Sequence, residues 1–292
     1  MSLCSFIDIN FINPLQSIPM QWYYSAKKTY GPLNEGSRDC HIVVSLTSFP
    51  ARFGTLHYAV KSILNQSMKP DIVFLCFTKD EVKNESELPS SVLALKNYGI
   101  QFFFADENLK PHNKYFYAMK HYPNSLIITV DDDNMYDSNL VSDLYASYKK
   151  YPSAVSARRV HKIVKGENNN VLPYSKWRYE YKKDTRPSYE LLATGVGGVL
   201  YPCGILPPET FDAEKIRELC MNADDIWLKF MELKNNVSVV WVKGRRVHPL
   251  NIKKAQKITL QKNNYHGKLN DKYINGLQNY YNINFASYLG KN

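Results

Sequence analysis

Apolar residues in the first half of the chain fall into short β-branched runs that alternate with stretches of helical spacing. HIVVSLTSF at 41–49 follows the polar, glycine-containing segment 31–39 and reads as a buried strand. Leu56, Ala59, Val60, Ile63 and Leu64 then recur at helical spacing within 55–65. DIVFLCF at 71–77 is a second strand, a helix follows around 89–97 until Gly99 ends it, and IQFFFA at 100–105 is a third strand. A helix over 111–121 and SLIITV at 125–130 repeat the unit. A helix from about 138 to 149, stopped before Pro152, leads to a strand at 154–158. Strand and helix alternating at this interval predict an α/β fold with a doubly wound, mostly parallel, Rossmann-like sheet.

The second half is less regular. Residues 164–186 are polar and rich in tyrosine and asparagine, which predicts a long loop with short elements, and 191–208 are punctuated by glycine and proline. Residues 223–235 read as a helix and VSVVWV at 237–242 as a strand. After Pro249 the pattern predicts two basic helices packed back on the core.

Of 292 residues, 44% are hydrophobic, an ordinary globular proportion, and no run approaches the roughly 18 apolar residues of a membrane span. Residues 1–20 carry Asp8 but no lysine or arginine, unlike a signal peptide, so a cytoplasmic location is expected. The five cysteines (Cys4, Cys40, Cys76, Cys203 and Cys220) are scattered with no C-x-x-C pair. They argue for a reducing compartment and against a disulfide framework or a thiolate zinc site. The formal charge of +10 is concentrated at one end: residues 243–292 hold ten lysines and arginines against one acid, Asp271. Such a tail suits anionic partners such as diphosphate-bearing substrates or the anionic face of a membrane. No nucleic-acid-binding motif accompanies it, and nucleic acid is not expected as a partner.

Four features carry chemistry. Asp131, Asp132 and Asp133 follow directly on SLIITV. Three adjacent carboxylates repel one another unless a cation or hydrogen bonds offset them, and the carboxyl ends of parallel strands are where α/β proteins bind ligands. Helix capping by Asp137 or Ser138 is the bland alternative, but it needs one acid rather than three. The second feature is TGVGGV at 194–199, dense enough in glycine for backbone amides to approach a ligand. It is neither a dinucleotide fingerprint nor a phosphate-binding Walker loop. The third is the pair Asp224–Asp225 opening a helix, which a favourable helix N-terminus would also explain. The fourth is His248, within KGRRVHP after the last strand.

In this order the four features resemble the hallmarks of bacterial GT-A fold glycosyltransferases of the family-2-like group, which build surface polysaccharide, lipooligosaccharide or capsule. The resemblance covers about 41–248, and VSLTSFPARF with SILNQSMKPD also looks like the first strand and helix of that group. Two departures are an Asp-Asp in place of Glu-Asp, and Cys203 where a second proline is expected after Tyr201-Pro202. The resemblance implies a single GT-A domain with an N-terminal extension (1–40), a nucleotide-sugar-binding half (41–160), an acceptor-binding and catalytic half (161–250) and a basic helical tail (251–292). It implies Asp131 and Asp132 at the sugar nucleotide, and Mn²⁺ or Mg²⁺ held by Asp133 with Asp131 and His248. Asp225, seconded by Asp224, would be the base that deprotonates the acceptor hydroxyl. By the same resemblance Arg52, Lys114, Gly197 and Gly198 would be further donor-binding residues, while Arg158 and Arg159 would pair with phosphate or acceptor, or be held in ordinary salt bridges.

The implied reaction is metal-dependent transfer of a hexosyl or N-acetylhexosaminyl group from a nucleotide-sugar, UDP-sugar favoured, to a glycan or lipid-linked acceptor. With Asp225 as base it inverts the anomeric centre. A retaining enzyme on the same site and a sugar-nucleotide nucleotidyltransferase are the competing enzymatic readings. A polyanion- or membrane-binding module led by the basic tail is the non-enzymatic one, and it leaves the carboxylate triplet unexplained.

Overall fold

In the computed structural model, which describes residues 12–290 apart from 168, 247, 254 and 256–268, the predicted strands assemble into one seven-stranded sheet of order β10-β6-β9-β4-β1-β2-β3. Its parallel part is β1 (Ile42–Thr47), β2 (Ile72–Thr78), β3 (Gln101–Ala105) and β4 (Leu126–Thr129), with β6 (Ala154–Ala157) and β10 (Ser238–Trp241) paired parallel at the far edge.

Alternate residues of each central strand feed opposite faces, which is why these runs are apolar throughout. Ile42, Val44 and Leu46 pack with α2 (Phe53–Leu64) and α5 (Leu140–Lys150) on one side. Val43, Phe74, Cys76 and Ile127 meet Ala118 of α4 (Asn113–His121) on the other. Helices on both faces make the sheet doubly wound, as the pattern predicts. The helix expected around 89–97 is shorter: α3 (Ser90–Leu93) tightens into a 3₁₀ turn over Ala94–Tyr98.

One strand departs from the parallel plan. β9 (Val199–Tyr201) lies between β4 and β6 and runs antiparallel to both, with Val199 opposite Thr129 and Ala157. A reversed strand presents its amino end where its neighbours present their carboxyl ends. The glycine loop before β9 is thereby delivered to the same rim as the acidic triplet after β4 and Arg158–Arg159 after β6.

Two small ribbons complete the chain. β5 (Asn134–Met135), just past the triplet, pairs antiparallel with β11 (Leu250–Asn251), and β7 (Val160–Lys162) with β8 (Leu191–Ala193). The segment after Pro249 therefore begins as a strand rather than a helix. Among the described residues it includes one α-helix, α8 (Leu269–Tyr281), whose Ile274 and Leu277 are buried against the core containing α6 (Ala213–Leu219) and α7 (Asp224–Lys234). Lys257, Lys262 and Lys268, which made the expected tail helices basic, lie outside the described residues, as does Cys4. The N-terminal extension contains α1 (Asn13–Ala26), which packs on β11.

Candidate active site

The carboxyl ends of β1 and β4 lie side by side, since Ser45 pairs with Thr129, so residues just beyond the two strands must meet. Ser48 Oγ donates to Asp132 Oδ2 at 2.6 Å, and Arg52 Nη1 lies 3.4 Å from Asp132 Oδ1 and 2.9 Å from Asp133 Oδ2. Asp132 is buried, and burial pushes its carboxyl up to about 7 despite the Arg52 charge. It anchors the loop. Asp133 is also raised, by burial and then by the neighbouring charge of Asp131, with Arg52 opposing.

Asp131 turns the other way, to Lys114 on the first turn of α4. Lys114 Nζ is 2.8 Å from Asp131 Oδ1 and 2.9 Å from Asp224 Oδ2, with only 8% of the side chain exposed. Burial alone would lower its pKa, but Asp131, Asp224 and Asp225 together hold the ammonium well above its ordinary value. One buried cation thus ties the acidic triplet to the start of α7.

Asp225, beside it, is half-buried and accepts the Gly195 N–H on Oδ1 at 2.9 Å. Burial, and then the charge of Asp224, pushes Asp225 up to about 7 against the opposing pull of Lys114 and Gly195. Gly195 is required by the approach of Lys114: a Cβ there would fall 2.5 Å from Nζ. A lysine tip ordinarily swings aside, but two ion pairs hold this one. Gly195→Ala should therefore cost about 1–3 kcal/mol of stability by overpacking, read from urea unfolding. An unchanged midpoint would mean that the ammonium moves freely.

The remaining predicted residues sit around this centre. Gly197 backs onto Arg159, where a Cβ would meet the Arg159 Cβ at 2.6 Å, and Gly198 adopts φ +88° against Leu140. Arg158 is buried in ion pairs with Asp137 (2.7 Å) and Asp143 (2.8 Å), so of its two readings the salt bridge is the one observed. Arg159 bonds Thr194 Oγ1 at 2.9 Å and lies 3.5 Å from Glu180 Oε1. His248 Nε2 lies 2.6 Å from the same Glu180 oxygen, on the Arg159 side of the glycine loop.

Three supporting residues escaped the sequence. His112 is fully buried: Nε2 meets Cys220 O and Nδ1 meets the Tyr115 hydroxyl, each at 2.9 Å. Burial pushes it down to about 4, so the ring is neutral, with Nε2–H donating to Cys220 and Nδ1 accepting from Tyr115. This fastens the loop before Asp224 to α4. Tyr136 OH accepts the Asp131 N–H at 2.8 Å and reaches Val196 O at 3.2 Å, joining the triplet to the glycine loop. Glu180, at φ 52°, arises in the polar segment where pattern is uninformative. A hollow of about 620 Å³ lined by Pro32, Leu33, Arg38 and Lys69 shares no residue with this constellation.

For a divalent cation, the oxygen donors Asp131 and Asp133 fit in kind, and their mutual repulsion is what such a charge would relieve. Among the described residues no three His, Cys, Asp or Glu side chains are grouped as a ready metal cluster.

The family model for glycosyl transferase family 2 matches residues 49–200. Comparison with curated proteins found no match. Among solved structures, residues 1–349 of Staphylococcus aureus TarS share 15% identity at a TM-score of 0.46, covering 82% of this chain and 72% of that one. A mannosyltransferase from Pyrobaculum calidifontis, in complex with GDP-Man and Mn²⁺, shares 12% at 0.44, covering 81% and 65%. A CMP:2-keto-3-deoxy-manno-octonic acid synthetase complexed with CTP shares 11% at 0.42, covering 71% and 90%. Likenesses this distant do not choose between the activities of those proteins.

Proposed function

The chain belongs to glycosyl transferase family 2 and is a glycosyltransferase of the GT-A fold; from that premise we propose metal-dependent, inverting transfer from a nucleotide-sugar, UDP-sugar favoured, to a hydroxyl of a glycan or lipid-linked acceptor. The observation that carries this reading is the Lys114 bridge, 2.8 Å to Asp131 and 2.9 Å to Asp224, which draws the acidic triplet and the acidic helix start into one constellation beside the glycine loop.

In this proposal Asp131 and Asp133 hold Mn²⁺ or Mg²⁺, which when bound neutralises the departing diphosphate. His248 is kept as the third ligand only on the strength of the resemblance, since its contact is with Glu180. Lys114 and Arg52 fix the directions of the carboxylates, and the glycine loop lets the donor sugar approach the backbone. Asp225 offers Oδ2 to the acceptor, because Oδ1 is engaged by Gly195. The acceptor oxygen loses its proton to Asp225 and bonds to the anomeric carbon as the bond to the nucleoside diphosphate breaks. The basic end of the chain favours an acceptor at an anionic membrane face, and with it a cytoplasmic, peripheral location.

The test is release of UDP, GDP or CMP from a panel of sugar nucleotides with Mn²⁺, repeated in EDTA. A nucleoside diphosphate should be released only with acceptor present, lost in EDTA, and restored by Mn²⁺ or Mg²⁺. Full turnover in chelator would sink the metal assignment, and pyrophosphate-linked chemistry would favour the nucleotidyltransferase reading.

A further inference from the structure

Helix α1 carries an apolar stripe on its exposed side. Its inward face carries Asn13, Ser17 and Tyr24, spaced by four and seven residues. Asn13 Nδ2 donates to Pro249 O at 2.8 Å, its Oδ1 accepts from Asn251 N at 2.9 Å, and Ser17 Oγ bonds Asn251 O. The inward face thus combines these polar bonds with Tyr24 and Met20, which pack with Leu250, Ile252 and Ala255. The outward face carries an apolar stripe: Leu15 and Trp22 are 73% and 72% exposed, Tyr23 43%, and Ile12 at the helix start 41%. Among the described residues these are four of the five large hydrophobic side chains that are exposed, the fifth being Tyr280. Exposed Pro19 and Ala26 fall on the same stripe, at four and eleven residues from Leu15. A soluble surface tolerates single apolar side chains, not a stripe of them along one uncharged helix.

The exposed charges flanking the helix are basic. No acid occurs between residues 9 and 34, and Lys27 and Lys28 follow directly on α1. Arg246 bonds Gln16 of the helix, and exposed Arg245 and Lys253 flank β11, on which α1 rests. A second copy docked here by symmetry would set basic flank against basic flank, whereas an anionic surface complements the flank and the apolar stripe together.

We propose that α1 is an interfacial docking helix, laying Leu15, Trp22 and Tyr23 into the headgroup–acyl boundary of an anionic membrane while Lys27, Lys28, Arg246 and Lys253 meet the lipid headgroups. Indole and phenol rings suit that boundary, and the helix, roughly 21 Å long at 1.5 Å per residue, lies in the plane. It is not long and apolar enough to cross. This deepens the peripheral location proposed above. Vesicle binding is read without donor, acceptor or metal, so it can fail while glycosyl transfer stands, and the reverse.

The experiment is co-flotation of the full chain with phosphatidylcholine vesicles, with and without about one third phosphatidylglycerol. The anionic vesicles should bind it, with a blue shift of tryptophan fluorescence that is absent from Trp22→Phe. Leu15→Glu with Trp22→Glu should weaken binding about tenfold or more. Lys27→Gln with Lys28→Gln should weaken it several-fold and flatten its salt dependence. Because Leu15 and Trp22 are exposed, thermal unfolding of the Glu variant should be unchanged. Absence of binding by the wild type, or equal binding by the Glu variant, overturns the proposal. So does a self-association, abolished by the same Glu substitutions, in a protein that ignores vesicles.

Discussion

Asp225→Asn should lower glycosyl transfer by roughly 10²–10⁴ while leaving donor affinity near that of the wild type. The amide preserves size and can still accept the Gly195 N–H, which lies 2.9 Å from Oδ1, so the loop has no reason to move. What is lost is the group proposed to take the acceptor proton. Asp133→Asn should behave differently, weakening metal-dependent donor binding and turnover together, because that carboxyl, beside Arg52 and Asp131, is one of the proposed metal donors. Calorimetric donor affinity beside the transfer rate separates the two. If Asp225→Asn loses donor binding as severely as Asp133→Asn, Asp225 belongs to the donor site. If its transfer is near normal, the base is another residue and inversion loses its main support.

The wild-type pH profile gives an independent reading of the same group. Burial and Asp224 push Asp225 up to about 7, and a base works only when deprotonated, so the rate should rise with pH through about 7 and level above it. That rising limb should be missing from the residual activity of Asp225→Asn.

The central parallel strands β1, β2 and β4 were legible because each is a β-branched or aromatic run buried on both faces, as in IVVSLT and LIIT. The acidic triplet was legible for a related reason: the run that makes β4 ends abruptly in charge. β9 was not, since Val199–Tyr201 is three residues long inside a glycine- and proline-punctuated stretch, and nothing local reports its reversed direction. Yet that reversal brings Gly195 to Asp225. Lys114 was expected only as a candidate cation for the nucleotide, and its partners lie 17 and 110 residues away in sequence, so its place between two acidic groups is a tertiary fact. His112 and Glu180 carry no local signal at all, one a buried tether and the other in a left-handed turn of a polar loop. Helix α1 hid for a different reason: Asn13 and Ser17 are buried while Leu15 and Trp22 are exposed, so the usual reading of an apolar stripe as the buried face fails.

Lys114→Met should destabilise the fold by about 3–5 kcal/mol, the cost of removing one partner from a buried charge pair. Methionine fills most of the stem's volume, so the loss is chiefly electrostatic: Asp131, Asp224 and Asp225 would face one another with no ammonium between them. The pH dependence identifies the cause. A carboxyl whose folded-state pKa is raised binds protons more tightly in the folded protein, so folding is favoured at low pH and stability declines as pH rises toward that raised value. In the wild type Lys114 opposes the rise, and its own pKa lies well above the ordinary lysine value, so its contribution is constant through neutrality. In the variant that opposition is gone, and the gap in stability should widen between about pH 5 and pH 8. Urea unfolding in chelator across that range measures it with no metal to compensate. Adding Asp224→Asn to Lys114→Met should recover part of the loss at the upper end by removing one of the three repelling charges. A deficit that is small and flat with pH, or a second substitution that deepens it, would mean that Lys114 packs against the site without holding its acids together.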